Sequence, residues 1–172
     1  MPAILLIDDD PLFLSALTDA LHRGHQDITI NTATTAEQGL RLLSHDHFDA
    51  IVSDFRMSGL NGIDLLKECK NLCPHTPVVL ITGYGSRALE QDALDHGAYA
   101  VLQKPLDSAV IYSVVKRAIL RCQLLQRSLS ADITRPEVQA RDLSRQQEQL
   151  SVRIRRVTER LQETLDKGRS SS

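Results

Sequence analysis

An α/β fold, a single open parallel sheet with helices on both faces, is predicted by three features. Short apolar runs have the length of strands, an amphipathic stretch follows each of them, and the two alternate regularly from the N-terminus. Residues 4–7 (ILLI), 28–30 (ITI), 50–52 (AIV), 78–81 (VVLI) and 100–102 (AVL) are rich in Ile, Val and Leu, as strands buried on both faces are. The first helical pattern, 11–22, opens on Pro11, whose fixed φ suits a first turn, and repeats apolar residues at Leu14, Leu17 and Leu21. Residues 35–43, 62–72, 87–96 and 108–125 keep the same 3.6 period. Two glycines punctuate this order: Gly62 follows Asn61 in a turn where positive φ is useful, and Gly97 stands where a residue just past a helix end is expected. Five such units make one doubly wound domain over residues 1–125.

Composition separates that domain from the rest of the chain. Residues 1–120 carry nine Lys and Arg against fifteen Asp and Glu, a net −6, whereas residues 121–172 carry eleven against seven, a net +4. All six aromatic residues lie in the first part, so the tail has no rings from which to build its own core. No apolar run reaches the ~20 residues of a membrane span, and MPAILLIDDD lacks a basic leader, so a cytoplasmic protein without a membrane partner is expected. Three cysteines, Cys69, Cys73 and Cys122, match no common zinc spacing and are expected as reduced helix residues. The six histidines, all at or before His96, are expected in solvent.

In a sheet of this kind ligands bind beyond the carboxyl ends of the strands. Asp8, Asp9 and Asp10 follow the first strand, Asp54 ends the third, Thr82 the fourth and Lys104 the fifth. Asp10, directly before Pro11, suits a helix cap. Carboxylates gathered at one edge raise one another's pKa unless a cation neutralises them, and oxygen ligands in an open crevice suit Mg²⁺. Zinc would call for His or Cys, and neither stands at these strand ends.

The segments ILLIDDDP, IVSDFRMSGLNGIDLL, VVLITGYGS and GAYAVLQKP, in this order and spacing, resemble the signature segments of the receiver domain of two-component response regulators over about residues 3–125. The resemblance implies a flavodoxin-like sheet of strand order 2-1-3-4-5. It implies that Asp54 accepts a phosphoryl group from a phosphohistidine of a sensor histidine kinase, and that the chain is a phosphoacceptor with slow self-dephosphorylation, not an enzyme. It further implies that Asp9 and Asp54 bind Mg²⁺ directly, Asp8 through water and Arg56 through its backbone carbonyl. Lys104 and Thr82 would contact the phosphoryl oxygens, and the Lys104–Pro105 bond would be cis. Val101 stands where the family usually has Tyr or Phe, so a switch built on a swinging ring is not available. Ser58 replaces a usual proline, and Arg56 brings a long cation to the mouth of the site.

Beyond the domain, residues 126–134 read as a linker. Thr134 and Glu137 match a capping box around Pro136, opening a helix over 135–167, and 168–172 (GRSSS) reads as a disordered end. Leu143, Leu150 and Val157 share one heptad seam and Ile154 and Leu161 the other, about three heptads, which favours a homodimeric coiled coil. A helix folded back on the domain and a nucleic-acid contact through the tail arginines are weighed as alternatives. The absence of a helix-turn-helix pattern and of stacking aromatics argues against the second. The expected function is a response regulator acting through a dimerisation or partner-docking tail on an unknown downstream protein. The alternatives are a constitutive coiled-coil scaffold carrying a non-phosphorylated receiver-like domain, or a receiver and linker cut from a longer transcriptional regulator.

Overall fold

The computed structural model describes residues 1–24, 27–57, 62–83 and 85–133. The expected helix 135–167, its capping box and the end 168–172, together with Ser58 and Tyr84, lie outside the described residues. The elements are β1 (Ala3–Ile7), α1 (Pro11–Gly24), β2 (Thr29–Ala33), α2 (Ala36–His45), β3 (Ala50–Asp54), α3 (Gly62–Leu72), β4 (Val78–Thr82), α4 (Arg87–Asp95), β5 (Ala100–Gln103) and α5 (Ser108–Ile133). All strand pairs are parallel, in the order β2-β1-β3-β4-β5. A first compact unit spans Met1–Gln126.

Strand alternation divides the core into two layers. Leu5, Ile7, Ile51, Val78 and Leu80 face one side and pack with Leu43 of α2, Leu65 and Leu66 of α3 and Ala93 of α4. Ile4, Leu6, Val52, Val79 and Ile81 face the other, against Leu14, Leu17 and Leu21 of α1 and Ile111, Val115 and Ile119 of α5. All five residues of β3 and of β4 are buried, so these central strands have the continuous apolar character that made them legible.

Helix starts are capped by side chains, as their orphan N–H groups require. Asp10 Oδ1 accepts from the amides of Leu12 (2.9 Å) and Phe13 (3.2 Å), Thr35 Oγ1 from Gln38 (3.1 Å) and Ser86 Oγ from Leu89 (3.2 Å). Gly97, with φ +91°, closes α4: its amide donates to Leu94 O at 2.9 Å and that of Ala98 to Ala93 O at 3.0 Å, a Schellman turn. Gly62 differs from expectation. Its φ is not positive; instead a Cβ there would stand 2.9 Å from Phe55 Cα, so the glycine permits close backbone approach.

Two boundaries also differ. The second strand runs over Thr29–Ala33, not 28–30, because this edge strand pairs along the whole of β1 from Ala3↔Thr29 to Ile7↔Ala33. An edge strand is only partly covered and has no need of an unbroken apolar run, so the half-buried Asn31 and the exposed Thr32 hid its length. The fifth helix runs to Ile133, through most of the stretch read as a linker at 126–134; it contains no Gly or Pro that would stop it.

Candidate functional site

Sheet register brings the predicted residues to one edge. Ile7 lies opposite Ser53, so the next residues, Asp8 and Asp54, emerge from neighbouring strands. Asp54 lies opposite Ile81, which places Thr82 one step on, and Thr82 lies opposite Gln103, which places Lys104 next. The amide of Lys104 donates to Thr82 O at 2.8 Å, and the Lys104–Pro105 bond is cis.

Lys104 Nζ donates to Asp54 Oδ1 at 2.8 Å and to Asp8 Oδ2 at 3.0 Å. The second oxygen of each carboxylate turns back on its own chain in the same manner. Asp54 Oδ2 accepts from the amide of Arg56 and Asp8 Oδ1 from that of Asp10, both at 2.8 Å. The two carboxylates are thus aimed by their own loops and joined by one ammonium. Asp8, Asp54 and Thr82 are buried, whereas Asp9 and Arg56 are exposed at the same edge.

The charge balance of this cluster is uneven. The bridged oxygens lie less than about 6 Å apart, a separation at which like charges repel by roughly 3 kcal/mol at an effective dielectric near 20. Burial pushes the Asp8 carboxyl above the usual range, and the Asp10 amide and Lys104 only partly oppose it. Burial alone would pull Lys104 down, but its hydrogen bonds to Asp54 and Asp8 outweigh this and hold the ammonium above its ordinary value. Two buried carboxylates share one lysine here and the exposed Asp9 stands at the same edge, so the donor set of hard oxygens fits a divalent cation of the Mg²⁺ type.

One member of the site escaped the sequence reading. The Phe13 ring lies beneath Lys104, with Nζ 3.9 Å from its centroid, a cation–π contact that holds the lysine from below. Phe13 is the one aromatic on α1, in the turn capped by Asp10, but nothing in that spacing points to Lys104 as its partner. Gly83, just after Thr82, leaves the approach open, with no heavy atom within 4 Å of where a Cβ would stand. Val101 lines a recess of about 210 Å³ beside Thr82, Ser86 and Leu89.

Comparison with known proteins agrees with this geometry. Residues 4–116 match the response regulator receiver domain. The transcriptional regulatory protein GlrR of Escherichia coli K12 is 32% identical over 116 residues, 67% of this chain and 26% of GlrR, so the chain spans about a quarter of that relative's length. The transcriptional regulatory protein FixJ of Bradyrhizobium diazoefficiens is 31% identical over 158 residues, 92% of this chain and 72% of FixJ. The crystal structure of a response regulator receiver domain protein from Clostridium thermocellum superposes with a TM-score of 0.68 at 30% identity, covering 73% of this chain and 99% of that one. Register, acidic edge and bridging lysine therefore belong to one recognised architecture: the chain is a member of the response regulator receiver family.

Proposed function

We propose that this protein is a response regulator that receives a phosphoryl group on Asp54 from a phosphohistidine of a sensor histidine kinase. The observation that carries the reading is Lys104 bound to both Asp54, at 2.8 Å, and Asp8, at 3.0 Å. An Asp54 oxygen forms the new O–P bond as the N–P bond of the phosphohistidine breaks, and the imidazole leaves. The carboxylate needs no deprotonation at neutral pH, so the protein's task is positioning and charge stabilisation. Lys104 moves from a carboxylate partner to a phosphoryl oxygen, and the Thr82 hydroxyl donates to another. Asp9, Asp54 and the carbonyl of Arg56 would hold Mg²⁺, with Asp8 acting through water. When bound, the ion neutralises the phosphoryl oxygens and the carboxylates together. The chain acts as a phosphoacceptor and not as a turnover enzyme.

Output in this reading passes through the C-terminal tail, in the cytoplasm, as a homodimer over 135–167 docking a downstream protein. The heptad seam supports it. A second reading, the receiver and part of the output segment of a transcriptional regulator, is favoured by the alignment with FixJ, which extends past the matched receiver. A small phosphodonor tests the first claim: a mass gain of one phosphoryl group that requires Mg²⁺ and vanishes in Asp54→Ala is expected. A gain that persists in that variant would overturn it.

A further inference from the structure

At the opposite edge of the sheet, upstream of β3, a second set of ligating atoms converges. His47 and Asp49 stand in the connection between α2 and β3, and Cys122 lies on α5. One imidazole nitrogen, one carboxylate oxygen and Sγ lie within 4.8 Å of one another. The three residues are fixed by different means. Asp49 is 7% exposed and locked to the start of β1: Oδ2 accepts from the Ala3 amide at 2.8 Å, and its own amide donates to Ala3 O at 2.7 Å. Cys122 is wholly buried, and His47 closes the group from the solvent side.

Gln126, one turn along α5 from Cys122, supplies an independent marker. Its Nε2 lies 2.6 Å from His47 Nε2 and 3.3 Å from Cys122 Sγ. The Gln126 carboxamide thus touches the imidazole and the sulfur at once, and these two come from separate segments. A cation at that point would meet both, with the Asp49 carboxylate beside them.

We propose that His47, Asp49 and Cys122 form a Zn²⁺ site, in which the ion takes the place of the Gln126 amide and water completes a tetrahedral shell. Nitrogen, oxygen and sulfur together select a borderline-soft cation over Mg²⁺. Zinc bonds of about 2.0–2.3 Å put ligand atoms roughly 3.3–3.8 Å apart, so a cluster already within 4.8 Å needs a shift of at most about 1.5 Å to close on the ion. The S–H bond of Cys122 gives way to S–Zn, and the proton passes to solvent. The ion ties α5 to the α2–β3 connection, at the sheet edge remote from Asp54.

Cobalt titration of the reduced full-length chain tests this. A thiolate-to-cobalt charge-transfer absorption saturating at one equivalent and erased by added Zn²⁺ is expected. Cys122→Ser should remove the band, and His47→Ala, at an exposed position, should weaken cobalt at least about tenfold. Cys73→Ser and Asp54→Ala should leave the band in place, the latter because the acidic edge offers no thiolate; the result is thus independent of the phosphoacceptor reading. A wild-type chain without the band, or a band that survives Cys122→Ser or disappears in Cys73→Ser, overturns the proposal.

Discussion

The two ends of β3 carry an aspartate each, Asp49 just before the strand and Asp54 at its close, and both are buried. Their neighbours differ completely. Asp54 meets a lysine, a second buried carboxylate and a backbone amide, whereas Asp49 meets a backbone amide, an imidazole and a thiol. The same side chain at the two ends of one strand is thereby given two surroundings, one of hard oxygens beside a lysine ammonium and one of mixed nitrogen, oxygen and sulfur. What decides is the partner the fold delivers. Strand ends supply Asp8 and Lys104, while a helix and a connection supply Cys122 and His47.

The largest expected effect breaks the upper end. Lys104→Ala leaves two buried carboxylates without their shared ammonium, and a loss of about 2–3 kcal/mol is expected in urea unfolding with chelator present, reduced when Mg²⁺ is added. The pH dependence follows the same pair. The raised Lys104 contributes stability in full below its ordinary value near 10.5 and loses it as pH climbs through the higher folded value. The alkaline decline should therefore be shallower in Lys104→Ala.

At the lower end, Asp49→Ala strands the Ala3 amide and should cost about 1–2 kcal/mol, while the phosphoryl gain at Asp54 measured by mass persists. Loss of that gain in a folded Asp49→Ala sample would show that the two ends are not separate. A change of opposite sign is expected at Asp8. Its folded pKa is raised, so protonation favours the folded state below the ordinary 3.8, and that contribution is lost as pH rises through the folded value. At neutral pH without metal, Asp8→Asn should thus gain about 1 kcal/mol and weaken Mg²⁺ binding in calorimetry. The smallest effect belongs to Phe13→Leu, which keeps bulk but removes the ring face beneath Lys104, for about 0.5 kcal/mol in the same unfolding assay.

Legibility in the sequence followed how each part is assembled. The central strands could be read because burial on both faces leaves unbroken apolar runs, and the acidic edge because its residues stand within one or two positions of the ends of such runs. The edge strand β2 was cut short at Ile30, since its partial exposure admits Asn31 and Thr32. The reach of α5 was underestimated where apolar spacing thinned, although no helix breaker intervened. Phe13 and the His47–Asp49–Cys122 group were missed for a common reason. Their partners come from segments far along the chain, and spacing within one segment carries no trace of them. The described histidines are exposed and the cysteines free, as read; what spacing could not show is that His47, Asp49 and Cys122 meet.

Binding of the two proposed ions, one at each tip of β3, would have a thermodynamic corollary. Should occupancy at one tip alter affinity at the other by some factor, the reverse influence must equal it, since both describe one cycle of states. A cell's thiophilic metal supply and its phosphoryl traffic would then speak to each other through five residues of backbone.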